Sequence, residues 1–183
     1  MNRTAMRKYS GLAMLLHWLI AVLVIVAWRI SEAAEEAARA DREAIMANHF
    51  AIGVILFVLV AVRLVWRQVS PPPASADHAP WERTLAKAVH FAFYGLLLAM
   101  PIAGWVAISS FGEPIGVFGL FTVPALPVGI DEARGEAIFE LHGTAGIALL
   151  VLIAVHALAA LKHTIVDKDG TLLRMLPFGA VRG

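Results

Sequence analysis

The stretch from residue 140 to residue 162, ELHGTAGIALLVLIAVHALAALK, decides the fold class. Its apolar part is about 20 residues long, which is the length that a helix needs to cross a hydrocarbon core about 30 Å thick. Two histidines, His142 and His156, interrupt it. Because they are 14 residues apart in the sequence, they share one helix face and lie about 21 Å apart along the axis. One predicted membrane helix therefore presents an imidazole near each membrane surface.

Three further apolar runs, at residues 12–30, 47–66 and 85–110, resemble the run at 138–161 that overlaps this stretch. Of all residues, 60% are hydrophobic and 16% are charged, whereas a soluble domain is about half apolar and about a quarter charged. No run alternates as a barrel strand does, and only helices and closed barrels satisfy the backbone in lipid. The sequence therefore predicts an all-α membrane protein, a bundle of four transmembrane helices that forms one domain over residues 1–183.

The amino-acid composition limits the kinds of metal and cofactor site that the chain can form. The chain has no cysteine, which excludes disulfides, zinc–thiolate sites, iron–sulfur clusters, and haem that is ligated or attached through cysteine. A formal net charge of +1 gives nucleic acid no bulk attraction. The seven histidines therefore carry most of the metal-binding potential.

Flanking charges predict the orientation. With the N-terminus inside, most Lys and Arg residues flank the inner ends of the helices, and the outer flanks are mainly acidic. This distribution fits the positive-inside rule with both termini cytoplasmic. We expect the outer connection at 31–46 to be a charged loop with a short surface helix. The Gly- and Pro-rich connection at 111–135 is expected to fold back over the bundle as a lid.

Four histidines fall into two pairs by depth. His49 lies on the outer side with His142, and His17 lies on the inner side with His156. Two imidazoles on facing helices with a planar ring between them make a six-coordinate haem site that is suited to electron transfer. Each of the four is followed, four residues later, by a small residue that leaves room for a macrocycle on the same face: Ala21, Gly53, Gly146 and Ala160.

Other interpretations of these histidines stay open. Histidines in membrane helices also hydrogen-bond to neighbouring helices, or relay protons in a transporter. The histidines could hold another metal, although structural zinc takes four ligands and each depth offers two strong candidates. His78, in the polar inner loop, is expected to be only solvated. A haem-free membrane transporter or scaffold is therefore an alternative.

Several motifs, in order along nearly the whole chain, resemble the bacterial cytochrome b561 family. They are KYS at 8–10, LHW at 16–18, NH at 48–49, His90 with Tyr94, ELH at 140–142, HA at 156–157 and KDGTLLRMLP at 168–177. The family consists of small four-helix di-haem proteins of the inner membrane. The resemblance implies two b-type haems, one held by His17 with His156 and the other by His49 with His142, and ubiquinone as electron acceptor.

The resemblance also implies a function. Some members are similar to superoxide oxidase, which passes an electron from periplasmic superoxide to ubiquinone, and others are cytochrome b subunits of hydrogenases or dehydrogenases. We expect a di-haem cytochrome that transfers electrons from a periplasmic-side donor, with superoxide as a candidate, to ubiquinone; a relay for a dehydrogenase or hydrogenase partner is the alternative. Because the outer flanks are acidic, an anionic donor needs a local positive funnel, for which the candidates are Arg29, Arg39, Arg42 and Arg134.

Three inner residues have secondary candidate roles. Arg63 lies 14 residues after His49, where it meets a haem propionate or extends to the headgroups. His163 lies seven residues after His156, where a quinone headgroup and cytoplasmic protons could meet, or where it only contacts lipid headgroups. His90 is a surplus inner histidine, which we assign to a quinone or propionate contact first and to haem ligation second. No side chain is expected to form a covalent intermediate.

Overall fold

A computed structural model describes residues 7–73 and 79–178, so His78 lies outside the described residues. Four helices dominate it, each long and apolar enough to cross a membrane. They are α1 (Gly11–Glu36), α2 (Arg39–Val69), α3 (Pro80–Ser109) and α4 (Glu132–Lys162). The predicted four-helix membrane bundle is confirmed. The helices exceed the apolar runs at most ends because polar turns continue them beyond the membrane.

The expectation of a loop at 31–46 is wrong. Helix α1 runs to Glu36 and α2 begins at Arg39, so only two residues separate them. Alanine, glutamate and arginine all favour helix, and neither glycine nor proline occurs there. Arg42 donates to the carbonyls of Ala34 at 3.1 Å and Glu35 at 3.2 Å, and so satisfies part of the last turn of α1. His49 therefore lies roughly 15 Å from the start of α2. His142 lies at the same distance from the start of α4.

Close backbone packing joins α1 to α2, α2 to α3, and α3 to α4. The buried core lies mainly between α1 and α2, and consists of Ile20, Val24, Ala27, Ile52, Leu56, Val60 and Leu149. Within the described ranges, α4 has no comparable backbone packing against α1 or α2. A gap therefore separates α4 from the first two helices, and it is crossed by side chains.

The first and the last described segments, residues 7–10 and 163–178, lie at one end of the bundle, which we call the terminal end. There α4 continues as a π-helical turn (His163–Asp167), followed by a short 3₁₀ helix (Leu172–Met175). The tail packs on the N-terminal segment: the indole of Trp18 donates to Met175 O at 2.8 Å, and the ammonium of Lys8 donates to Leu176 O at 3.1 Å. These bonds hold the tail against the start of α1.

The opposite end, which we call the hairpin end, is covered by two short antiparallel strands. Strand β1 (Ile115–Val117) pairs with β2 (Phe121–Val123), and Gly119, with φ of 72°, provides the left-handed conformation that the turn needs. Ile115 and Val117 are buried, and β1 packs on α2. The expectation that this connection folds back over the bundle is confirmed.

Candidate functional site

Near the hairpin end, α2 and α4 bring two histidine rings together. The ring centroids of His49 and His142 are 6.0 Å apart, with the planes at 71°. Nδ1 of His49 donates to the carbonyl of Ala27 at 2.9 Å. Such a bond fixes the tautomer and orientation of a ligating imidazole, and leaves Nε2 with its lone pair. A carbonyl of the neighbouring helix α1 therefore orients the ring of His49.

A cavity of about 670 Å³ surrounds this pair, within the range of about 300–1,000 Å³ that is usual for ligand sites. Glycines open it. A Cβ on Gly53 would meet nothing within 4 Å, and a Cβ on Gly146 would meet only the methyl group of Met100 at 3.7 Å. Both glycines line the cavity, as the small-residue spacing predicted. Nδ1 of His142 is buried close to the backbone of Met100 but does not reach hydrogen-bond geometry there.

Nearer the terminal end, three rings surround His156. The ring centroid of His17 lies 6.3 Å from that of His156, the centroid of His90 lies at 5.8 Å and that of Phe93 at 5.4 Å. Nδ1 of His90 donates to Ala86 O in its own helix at 2.6 Å. His156 therefore has two imidazole neighbours, whereas the sequence analysis gave His90 a quinone or propionate contact as its first role and haem ligation only as its second.

The spacing of the rings fits a metal between each pair. An imidazole nitrogen lies about 1 Å from its ring centroid and about 2 Å from a bound first-row metal, so two axial imidazoles have centroids about 6 Å apart. The pairs His49–His142 and His17–His156, at 6.0 Å and 6.3 Å, meet this condition. The pair His90–His156 meets it as well, at 5.8 Å. The ring spacing therefore suits a bis-histidine iron site at both depths, and a cavity with room for a cofactor surrounds the pair His49–His142.

The predicted secondary residues lie at the terminal end. A guanidinium nitrogen of Arg63, Nη1, donates to Ala13 O at 2.6 Å. Nδ1 of His163 lies 2.8 Å from Asp167 Oδ2 and 2.9 Å from Asp169 Oδ2, so it belongs to a carboxylate cluster. Burial raises the pKa of Asp169, but hydrogen bonds from Thr171 and the neighbouring His163 together outweigh this and hold that pKa below its usual range. We had not expected these carboxylates from the sequence.

Sequence reasoning missed several residues that line the two sites. Phe93 packs on His156, and Gly104 lies so close to His142 that a Cβ there would stand 3.7 Å from the ring. Arg67 shares a pocket with Arg63. Only Arg67 had a usable signal, because it follows Arg63 by four residues and therefore lies on the same helix face.

Taken together, the fold and the paired rings define a class: a four-helix transmembrane protein with histidine pairs at two depths. A model of the prokaryotic cytochrome b561 family matches residues 8–178. The chain belongs to this family of membrane electron-transfer proteins, which carry b-type haem.

Several characterised proteins are similar to the chain. Cytochrome b561 homolog 2 of Escherichia coli is 40% identical over 131 residues, which cover 70% of this chain and 68% of that protein. Probable superoxide oxidase CybB of Yersinia pestis is 34% identical over 172 residues, or 93% and 97% of the two chains. Cytochrome b562 of Cereibacter sphaeroides is 29% identical over 174 residues, or 92% and 94%.

Proposed function

We propose that the protein is a di-haem b-type cytochrome that carries electrons from a donor at the hairpin end to ubiquinone in the membrane. One observation carries this proposal: α4 stands apart from α1 and α2, yet its two histidines each meet a histidine across that gap at about 6 Å, the separation of two axial imidazoles. Ordinary packing of structural histidines does not require the same spacing twice.

The residues have distinct tasks in this proposal. His49 and His142 would hold one haem, and His17 and His156 the other, with the Ala27 carbonyl fixing the ring of His49. A bound b-type haem supplies reversible one-electron chemistry whose potential depends on ligands and burial. The apolar shell between α1 and α2 excludes water from the route between the two depths. Arg63 would contact a propionate.

Superoxide is the donor that we favour, since a relative that matches most of the chain is named a probable superoxide oxidase. Arg42 lines the hairpin-end cavity and brings a positive charge among the acidic outer flanks, although it also donates to the carbonyls of Ala34 and Glu35. Arg29 lies 5.6 Å from the ring of Trp28, which also lines that cavity. Arg134 contributes less, because it donates to Ser110, Val128 and Gly129 and so holds the lid connection. A local positive potential at the mouth would raise the encounter rate of a small anion.

A protein donor is the second candidate, for which the protein would be the relay subunit of a dehydrogenase or hydrogenase. Glu32 and Glu35 line the same cavity as Arg42. Acidic groups at the mouth suit the docking of a basic electron-donor protein. Superoxide as donor should therefore depend on the positive charge at the cavity mouth, and a basic protein donor should depend on the acidic groups there.

We propose ubiquinone as the acceptor, with His163 and His90 as headgroup contacts. Quinone reduction consumes protons, and His163 lies in hydrogen-bond distance of Asp167 and Asp169, which can pass protons from solvent. We also propose that the protein lies in the bacterial inner membrane with both termini cytoplasmic, so that the hairpin end is periplasmic. The partners are then membrane lipid, quinone and a donor.

A kinetic assay separates the donors. Purified holoprotein should show a b-type α band on reduction, and should reduce ubiquinone when superoxide is supplied. Arg42→Gln should lower that rate several-fold at low salt, and the difference should shrink as salt screens the charge. Arg39→Gln, a change at an exposed position outside the cavity lining, is the matched control.

Three results would decide against parts of this proposal. A purified protein without haem ends the cytochrome assignment. A rate no faster than uncatalysed dismutation removes superoxide as the donor. If Glu32→Gln, rather than Arg42→Gln, slows reduction by a basic donor protein, the relay function is supported instead.

A further inference from the structure

At the terminal end, two guanidinium groups share one small pocket. Arg63 and Arg67, one helical turn apart on α2, line it, with Tyr9 from the N-terminal segment and Tyr94 from α3. These are both tyrosines of the chain. The guanidinium of Arg67 lies 6.0 Å from the ring centroid of Tyr94, which holds it toward the pocket.

The two arginine charges of this pocket face no lining carboxylate among the described residues. Ala13, Trp66, Ser70 and Pro72 complete its lining, so no carboxylate lines it within the part of the chain that the structure describes. Among the described residues, Arg63 makes one hydrogen bond, to Ala13 O at 2.6 Å, which leaves most of its donors for another partner. The two guanidinium groups carry like charges, and an anion between them would relieve their repulsion.

We propose that the Arg63–Arg67 pocket is an oxyanion site that binds a carboxylate or phosphate group. Arginine presents paired donors that match such planar or tetrahedral oxyanions, and a tyrosine hydroxyl adds a neutral donor. The pocket holds about 20 Å³, room for roughly one water-sized group. One oxygen of the anion therefore enters, and the rest of the group lies at the open mouth near the exposed Arg67.

Two sources supply this chemistry at a membrane surface. One is a haem propionate, which extends the role of Arg63 to a second arginine and rests on the proposed function. The other is the phosphate of an anionic phospholipid, because basic pockets between transmembrane helices bind such headgroups. The site is the same in both cases, and only the molecule that carries the oxyanion differs.

The test compares Arg67→Gln with Arg83→Gln in the purified holoprotein. Both positions are exposed and lie at the same end of the bundle, but Arg83 does not line the pocket. Two kinds of measurement are made on each protein. The first gives the midpoint potentials and propionate vibrational bands of the haems, and the second counts the retained phosphatidylglycerol molecules by native mass spectrometry. Arg67→Lys, which keeps the charge but loses the forked donors, should fall between wild type and Arg67→Gln.

The two possible occupants of the pocket predict different results. A propionate occupant predicts a lower potential and a shifted propionate band for one haem in Arg67→Gln, because a positive charge that favours the reduced state is lost, with no change in lipid. A phospholipid occupant predicts loss of most retained phosphatidylglycerol without a change in potential. If Arg67→Gln matches Arg83→Gln in both measurements, the oxyanion site is wrong. A protein without haem would remove the proposed function, while the lipid count would still test this site.

Discussion

The two histidine sites reach the same ring spacing in different ways. At the hairpin end, two histidines face each other across a cavity that glycines keep open. At the terminal end, the rings of His17 and His90 both lie near His156, Phe93 packs on His156, and the C-terminal tail is tied to α1 by hydrogen bonds. The hairpin end therefore has space around one histidine pair, and the terminal end has a third histidine in close packing, so that in the proposed function His90 is a substitute ligand without a described counterpart at the hairpin end. Variants at the two ends should fail differently.

Removing a histidine should have the largest effect, and it should depend on the end. His49→Ala should abolish one of the two haems, because no other described histidine ring lies beside His142. His90→Ala should retain both haems, because His17 still faces His156 at 6.3 Å. The haem-to-protein ratio of each purified variant, with its reduced-minus-oxidised spectrum, measures this directly.

The decisive comparison at the terminal end is His17→Ala against His90→Ala. If His90→Ala loses a haem and His17→Ala keeps both, the ligand of His156 is His90, and our pairing is wrong. If both single variants keep two haems, the two histidines substitute for each other. The double variant should then lose one haem.

Filling the cavity should have the next largest effect. Gly53→Leu places a side chain where nothing lies within 4 Å of a Cβ, inside the cavity beside His49. The helix should tolerate leucine, but a macrocycle should not, so occupancy of the hairpin site should fall by more than half. Gly95→Leu is the control, because a Cβ on Gly95 also meets nothing within 4 Å and Gly95 does not line the cavity. Equal haem content in both variants would place the haem elsewhere.

A third change tests the aromatic support of the hairpin end. Phe139 stacks with Phe50 at 6.4 Å and with Phe111 at 5.9 Å, and a Cβ on Gly135 would overlap the Phe111 ring. Gly135→Ala should therefore displace Phe111 and lower the free energy of unfolding by about 1–3 kcal/mol. Gly143→Ala, on the same helix with open space at its Cβ, should not destabilise the protein. Thermal unfolding that leaves the two variants alike would show that Phe111 moves freely.

The periodicity of the α-helix explains which features of the candidate sites could be predicted from the sequence. The separation of 14 positions between His142 and His156 fixes their common face and axial separation whatever surrounds them. The two depths therefore followed from the sequence, as did the glycines four residues beyond His49 and His142. The competition between His17 and His90 did not follow, because it depends on how α1 and α3 are placed around α4. The position of Arg67 over Tyr94 is likewise a tertiary property, since the two lie on different helices.

The smallest expected effect compares two matched indole hydrogen bonds, one at each end. Trp18 donates to Met175 O at 2.8 Å and ties the tail, and Trp105 donates to Pro124 O at 3.0 Å and ties the hairpin. Replacing either tryptophan by phenylalanine removes one such hydrogen bond, which contributes about 0.5–1.5 kcal/mol to the free energy of unfolding.

Trp18→Phe should perturb the spectrum of the haem proposed between His17 and His156 alone, because the ring centroid of Trp18 lies 5.3 Å from that of His17. Trp105→Phe should perturb the other haem, because Trp105 lines its cavity. Should each substitution shift both haems equally, the two ends are coupled more tightly than the separation of their histidines along α4 allows.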